Sequence, residues 1–412
     1  MRIPLVSCLS LFFFCLFFQG CNSGSSVSST QDSSVASVLV ADSLPPEADI
    51  TADALAWTDS IMSDMSLEQL AGQLIMPAVF SDAGEPALRA VAGYAADMHI
   101  GGVVLLKGSV EAARAISDTL SVLSVAPPFI AIDAEWGLAM RLKDTPVFPK
   151  NGRISQDAEE TLLFDYGCEV ARECRSAGIN MVLGPVLDVL PAEVPVSAAS
   201  LSSGIGNRSF GSDPERVARL GVAYARGVES GGVMSVAKHF PGHGAADADS
   251  HSALPIVSKS LAELKESDLI PFSRYISCGL SGIMVGHLSI PSLDSGGFPV
   301  SVSPAVLQDL LREDMGFHGL VLTDAMNMVG ADGHSGAKAI MAGADMVIAP
   351  GATRSEISAI VDAVRNGSFP LDQLRKKVAR VLFYKYLMVK DMPRTADYDT
   401  AEAERLQRAL SE

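Results

Sequence analysis

Short apolar runs alternate along most of the chain with longer amphipathic stretches. Eight such runs are LIMPAV from residue 74, GGVVLL from 101, FIAID from 129, MVLGPVLDV from 181, VMSVAKH from 233, GIMVGH from 282, GLVLTDAM from 319 and DMVIAP from 345. Several are apolar at every position, as expected of parallel strands that are covered on both faces. The alternation predicts a series of units in which each strand is followed by a helix.

The stretches between the runs have the spacing of amphipathic helices. Examples are EAARAISDTLSVL, DAEETLLFDYGCEVARECRSAG, DPERVARLGVAYARGVES, LAELKESDLIPFSRYISCG and SPAVLQDLLREDMG, and two more follow the eighth run, in EISAIVDAVRNG and LDQLRKKVARVLFYKYLMV. Eight units predict an α/β fold, a (β/α)8 barrel over residues 51–392 with C-terminal helices, followed by a tail over residues 393–412. A doubly wound sheet is disfavoured, because no glycine-rich phosphate turn follows the first run.

The amino-terminal residues have the pattern of an export signal. One positive charge precedes an apolar stretch that is short for a membrane span and typical of a secretory signal, which we assign to residues 1–20. The sequence FFQGC resembles the lipobox of bacterial lipoproteins, in which the cysteine, here Cys21, is acylated. An ordinary cleaved signal is the alternative. Residues 21–50 are serine-rich and are expected to form a flexible tether, so the protein is predicted to be exported and held at a bacterial membrane only through its lipid anchor.

Composition narrows the class of partner. The chain is 48% hydrophobic and 19% charged, the balance of a globular protein, and its formal charge is −17. No stripe of lysine and arginine is present to neutralise phosphates, so a nucleic-acid partner is not expected. The sequence does not indicate an oligomeric state.

Polar side chains end several of the apolar runs. Because a barrel carries its active site at the carboxyl ends of its strands, these positions predict one shared mouth. The third to seventh runs end, in order, with Asp133, Asp188, the pair Lys238 and His239, His287, and Asp324.

The segment KHFPGHGAADADSH, residues 238–251, concentrates histidine and aspartate directly after the fifth run. A zinc site on a loop and a turn shaped by proline and glycine are two interpretations of it. A third is carbohydrate hydrolysis, since Asp249 and His251 project the same way from an extended loop and the carboxylate would hold the imidazole as a proton donor. Asp324 would supply the second catalytic group.

Five motifs occur in an order that resembles glycoside hydrolase family 3, in its β-N-acetylhexosaminidase branch. They are IDAEWG at 132, GNRSFGSDP at 206, KHFPGHG at 238, DSH at 249 and TDAMNM at 323. The resemblance spans about residues 60 to 390 and carries over the barrel fold.

The resemblance also implies roles for particular positions. Asp324 matches the nucleophile that forms a covalent glycosyl-enzyme, His251 matches the acid/base, and Asp249 matches its partner. The positions that match residues gripping the hydroxyls of the non-reducing sugar are Asp133, Arg208, Lys238 and His239. The expected activity is retaining removal of terminal β-linked N-acetylglucosamine from a carbohydrate substrate, without a metal ion or another cofactor.

Departures from the family leave alternatives open. Trp136 stands where many relatives have glycine and would either stack on a sugar or pack under the loop, and Ala325 stands where many have a second aspartate. A β-glucosidase of the same family, an inactive glycan-binding lipoprotein and a phosphorolytic enzyme are the other functions considered. Peptidoglycan fragments, chitin oligosaccharides and host glycans are the glycan sources considered.

Overall fold

A ring of parallel strands forms the centre of the molecule. The computed structural model describes residues 52–195, 203–390 and 400–411. The strands are β1 Ile75–Met76, β2 Ala78–Phe80, β3 Gly102–Lys107, β4 Phe129–Ile132, β5 Met181–Val182, β6 Met234–Phe240, β7 Gly282–Val285, β8 Leu320–Ala325 and β9 Met346–Ile348. Their order is β1, β9, β8, β7, β6, β5, β4, β3, β2, and each neighbouring pair is parallel.

The ring closes through the first apolar run. Only Pro77 separates β1, which pairs with β9, from β2, which pairs with β3. The carbonyl of Pro77 accepts a hydrogen bond from Val104 at 3.0 Å, whereas proline has no N–H to donate, so the ladder changes partner here. The two short strands therefore occupy one place in the barrel, and the predicted (β/α)8 fold is confirmed, with a strand in each of the eight runs.

Helices follow the strands and cover the barrel. They are α1 Ala52–Ser63, α2 Leu67–Gly72, α3 Glu85–Met98, α4 Val110–Leu123, α5 Glu160–Ser176, α6 Pro214–Ser230, α7 Leu261–Glu266, α8 Leu269–Ser277, α9 Gly336–Ala342, α10 Thr353–Arg365, α11 Leu371–Met388 and α12 Thr400–Ser411. The segment Ala305–Asp314 is a π-helix, and short 3-10 turns occur at Ser81–Ala83, Leu138–Met140, Asn151–Arg153, Gly206–Arg208, Val300–Val302 and Val329–Ala331.

Burial and local signals explain these elements. All seven residues of β6 are buried, and apart from Ser235 its run is apolar up to the two polar residues near its end. Ser260 caps α7 in a capping box with Glu263. The stretch 261–279, predicted as one helix, is two helices, because Pro271 lacks the N–H that would bond to the carbonyl of Ser267.

The carboxyl-terminal segment contains more structure than the tail predicted for residues 393–412. Helix α12 packs on α5 and buries Ala403, Leu406 and Leu410. The carbonyl of Leu410 also accepts a hydrogen bond from Ser155 at 3.2 Å. These contacts attach the segment to the barrel.

The predicted signal peptide, Cys21 and the tether lie outside the described residues. None of the helices in the described ranges is long and apolar enough to span a membrane.

We expect Leu406→Ala to lower the free energy of unfolding by about 2 to 4 kcal/mol, because it removes a fully buried side chain between α12 and α5. Denaturant unfolding would measure the change, with Arg408→Ala, an exposed position on the same helix, as the control. Equal stability of the two variants would contradict a packed α12.

Candidate active site

A cavity of about 600 Å³ opens at the carboxyl ends of the strands. The seven residues singled out from the sequence all line it, and they come from five places in the chain. Asp133 follows β4, Arg208 lies after β5, Lys238 and His239 end β6, the β6–α7 loop carries Asp249 and His251, and Asp324 ends β8. The structure therefore brings these seven residues to one pocket, whereas Asp188 and His287, also predicted at the mouth, lie outside its lining.

A buried ion network forms one side of this pocket. The Lys238 ammonium donates to Asp133 Oδ1 at 2.7 Å and lies 2.8 Å from Glu135 Oε1. Arg208 donates to both oxygens of Glu135, through Nε at 2.9 Å and Nη2 at 2.7 Å. Arg141 Nη2 donates to Asp133 Oδ2 at 2.5 Å. Five side chains are thereby fixed in one arrangement.

Glu135 and Arg141 are the members of this network that the sequence interpretation missed. Glu135 stands two residues after Asp133 in the motif IDAEWG, and side chains two apart in extended backbone point the same way, so a signal for it was present. Arg141 follows the 3-10 turn Leu138–Met140, where no periodic pattern indicates the direction of its side chain.

The network keeps its charges despite burial. Burial by itself would raise the pKa of Glu135, but Arg208 and Lys238 hold that pKa well below its usual range. The pKa of Asp133 is also lowered, since Lys238 and Arg141 outweigh burial and the repulsion from Glu135. The same carboxylates raise the pKa of Lys238 against the effect of burial. The pocket therefore presents charged groups in fixed positions.

Asp324 is a partly buried carboxylate held in its anionic form. Burial opposes its charge, yet His239 and His287 lower its pKa, together with the Ala325 N–H that Oδ1 accepts at 2.7 Å. An ionised carboxylate on a rigid strand is suited to nucleophilic attack.

His287, the polar end of the sixth run, lies outside the pocket lining. Its Nε2 is 3.2 Å from the carbonyl oxygen of Ala325, and its Nδ1 is 2.7 Å from Ser301 Oγ. A carbonyl only accepts, so Nε2 carries a hydrogen and donates it to Ala325. His287 therefore supports the end of β8 rather than contacting a substrate.

Asp249 and His251 form a pair at the mouth of the pocket. His251 Nδ1 lies 2.8 Å from Asp249 Oδ1, which also accepts the His251 backbone N–H at 3.0 Å. Burial opposes ionisation of Asp249, but the two bonds from His251 outweigh it and lower the pKa of Asp249. Because the carboxylate occupies Nδ1, Nε2 is the ring nitrogen that is left free. The His251 side chain is 70% exposed, so this nitrogen is accessible at the mouth of the pocket.

Asp249 has a close-fitting neighbour in the loop after β5. A Cβ at Gly204 would lie 2.6 Å from Asp249 Oδ2, and Gly204 has a φ of +71°, which other residues rarely adopt. Glycine at this position lets the two loops approach each other.

Asp188, at the end of the fourth run, is fully buried and lies behind the pocket lining. Its Oδ2 is 2.7 Å from His239 Nδ1, and its Oδ1 accepts the backbone N–H groups of His239 at 3.2 Å and His243 at 2.7 Å. The Nδ1–H of His239 therefore donates to the carboxylate, which fixes the ring and directs Nε2 toward Arg208, 3.4 Å away.

Trp136 lies on the pocket wall and is partly exposed. The Lys150 ammonium lies 4.7 Å from the centre of its ring. Among the described residues, no group of histidine, cysteine, aspartate and glutamate is arranged to hold a metal ion.

Comparisons with known proteins identify related chains. Residues 66–383 match the model of the glycosyl hydrolase family 3 N-terminal domain. The chain is 34% identical to a β-hexosaminidase of Nitrosomonas eutropha over 264 residues, which is 60% of this chain and 73% of the relative. It is 35% identical to a β-hexosaminidase of Neisseria meningitidis serogroup C over 268 residues, 61% of this chain and 72% of the relative.

A solved structure is similar over a larger part of the chain. A family 3 β-N-acetylglucosaminidase from Paenibacillus sp. str. FPU-7 aligns with a TM-score of 0.74 and 27% identity, covering 84% of this chain and 69% of the other.

We expect Glu135→Gln to lower the free energy of unfolding at pH 7 by about 3 kcal/mol, because it removes a buried charge that compensates Lys238 and Arg208. The folded-state pKa of Glu135 lies below its unfolded value of about 4.5, so its contribution is present above that pH and is lost as the pH falls further. The variant should therefore lose less stability than the wild type between about pH 5 and pH 3.

Thermal unfolding across that pH range would measure both effects. Glu266→Gln, at an exposed position on α7, is the control for loss of a carboxylate. Parallel pH curves for Glu135→Gln and the wild type would contradict a Glu135 carboxylate that stays ionised through its buried ion pairs.

Proposed function

Because this chain belongs to glycosyl hydrolase family 3, we propose that it removes terminal β-linked N-acetylglucosamine from the non-reducing end of oligosaccharides, with retention of configuration. The observation that carries the proposal is the composition of one pocket: an anionic Asp324 on a strand and the His251 and Asp249 pair at the mouth. The preference for an acetamido sugar is supported by the names of the relatives and by the DSH motif.

The pocket shape supports removal of one terminal sugar at a time. Apolar strand side chains form part of its lining, among them Val104, Leu183, Met284 and Ile348. They fill the barrel interior, so a glycan chain enters only from the mouth. The charged groups of Asp133, Lys238 and Arg208 then offer fixed partners for the hydroxyls of the enclosed sugar.

In the first step, Asp324 attacks the anomeric carbon while the bond to the glycosidic oxygen breaks. Oδ1 of Asp324 accepts the Ala325 N–H, so Oδ2 is the oxygen available for attack. His251, protonated on both nitrogens, transfers the proton on Nε2 to the departing oxygen. Asp249 stabilises the imidazolium before transfer and fixes the ring.

In the second step, neutral His251 takes a proton from water through Nε2, and the water oxygen attacks the anomeric carbon. The bond between the sugar and Asp324 breaks, and the carboxylate is restored. Two displacements at one carbon retain its configuration.

The amino-terminal sequence supports a proposal for where this activity takes place. We propose that Cys21 is acylated and that residues 21–50 tether the barrel to a bacterial membrane on its external side. The substrate would then be met outside the cytoplasm, as peptidoglycan fragments or chitooligosaccharides. This part rests on the FFQGC motif alone.

We expect the purified full chain to release p-nitrophenol from the β-N-acetylglucosaminide and not from the β-glucoside. Asp324→Ala should lower kcat by at least about 10³-fold, because it removes the attacking group. The assay is run with and without inorganic phosphate, since an increase with phosphate would indicate phosphorolysis. Equal cleavage of both glycosides, or an active Asp324→Ala, would contradict the proposal.

We expect Cys21→Ser to move the protein from the membrane fraction to the soluble fraction in a bacterial host, because it removes the thiol that would carry the lipid. Cys15→Ser, in the apolar stretch that precedes Cys21, is the matched control and should stay in the membrane fraction. Fractionation followed by immunoblotting would measure the change. Identical distribution of the two variants would contradict lipidation at Cys21.

A further inference from the structure

Ser250 is a buried residue between two exposed ones. The whole residue is 3% exposed, whereas the side chains of its neighbours Asp249 and His251 are 40% and 70% exposed. Ser250 is therefore one of the points at which this part of the β6–α7 loop is attached to the barrel.

Two hydrogen bonds make that attachment. The Ser250 hydroxyl lies 3.3 Å from His243 Nε2 in the buried turn after β6. The Ser250 carbonyl accepts the backbone N–H of Gly330 at 2.9 Å, from the loop that follows β8. A Cβ at Gly330 would lie 3.2 Å from the same carbonyl, so the two loops are in close contact. Ser250 thus links the acid/base loop to both the β6 turn and the loop after the strand of Asp324.

His243 is held firmly at the other end of the first bond. Its backbone N–H donates to Asp188, the carboxylate that also fixes His239. The His243 ring packs edge-on against the His239 ring with centroids 5.7 Å apart. In the described part of the chain its Nδ1 has no hydrogen-bond partner, so a hydrogen on Nδ1 would be a buried unpaired donor. The hydrogen therefore belongs on Nε2, from which it is donated to Ser250.

We infer that the Ser250 hydroxyl and the His243 imidazole form a latch that positions the general acid His251 relative to the sugar and Asp324. Ser250 and His243 are positioning residues in this inference, because they act through the adjacent His251 and Asp249. The inference rests on the proposed function, since it requires His251 to protonate the leaving group. It assigns a role to the central residue of the DSH motif.

Loss of the latch should appear as weaker acid catalysis. An activated aryl group departs with little help from an acid, whereas a sugar leaving group needs its proton. We expect Ser250→Ala to lower kcat/KM about 10-fold for diacetylchitobiose and no more than about 2-fold for the 2,4-dinitrophenyl glycoside, as expected of a displaced general acid. The dependence of the rate on leaving-group pKa would become steeper.

Two reference variants define the scale. Ser252→Ala removes an exposed hydroxyl of the same loop, which donates to the carbonyl of Asp249, and should leave both substrates within about 2-fold of the wild type. His251→Ala should lower kcat/KM at least about 100-fold for diacetylchitobiose and far less for the activated glycoside. If His251→Ala lowers kcat/KM equally for both substrates, the acid/base assignment is wrong, and the inference that depends on it is wrong as well. If His251→Ala behaves as expected but Ser250→Ala lowers kcat/KM equally for both substrates, or for neither, only the inference about Ser250 and His243 is wrong.

Variants at His243 test the latch from its other end and apply even if Ser250→Ala does not fold. A glutamine side chain at this position would place an amide N–H near the position of Nε2, so His243→Gln should keep the wild-type leaving-group dependence, whereas His243→Ala should show the steeper one. Where both single variants fold, the double variant Ser250→Ala with His243→Ala should have a kcat/KM for diacetylchitobiose no lower than that of either single variant, because the two residues share one hydrogen bond. Identical kinetics for His243→Gln and His243→Ala, or additive losses in the double variant, would overturn the inference.

Discussion

The contact on which the site depends is that of the Lys238 ammonium with two carboxylates, the buried Glu135 and the partly buried Asp133. Without it, Asp133 and Glu135 would repel each other, with Arg141 and Arg208 as their remaining compensating charges. With it, and with the two arginines that complete the network, every group stays charged and immobile. A buried ion pair contributes little net stability, so what this network gains is the fixed direction of its donors and acceptors.

The two groups expected to carry the chemistry lie in opposite environments. Asp324 is partly buried at the end of a strand, where neighbouring histidines and a backbone N–H keep it anionic. His251 lies on a loop and is largely exposed. A nucleophile has to meet one carbon along one line, whereas an acid has to admit leaving groups of different size, so a rigid strand suits the first and a loop suits the second. The loop then needs attachment points, and Asp249 against Gly204 is one of them.

Much of this arrangement was predictable from the sequence, because the fold converts position along a strand into position in space. Runs that are buried on both faces gave all eight strands, and their polar ends converge since parallel strands end at one rim. The break at Pro77 and the attachment of α12 were missed, although the spacing of Ala403, Leu406 and Leu410 is that of a buried helix face. Contacts between loops, such as that of Ser250 with His243, produce no periodic pattern in the sequence, so they are visible only in the structure. The predicted lipid anchor at Cys21 stays a prediction.

The segment KHFPGHGAADADSH shows why a cluster in sequence need not be a cluster in space. Its three histidines each have a different partner: His239 binds Asp188, His243 donates to Ser250, and His251 binds Asp249. A zinc site would require the rings to turn toward one point, and these partners turn them apart. Under the proposed function, the segment would thus supply in succession a ring that faces the sugar, a buried anchor and a proton donor.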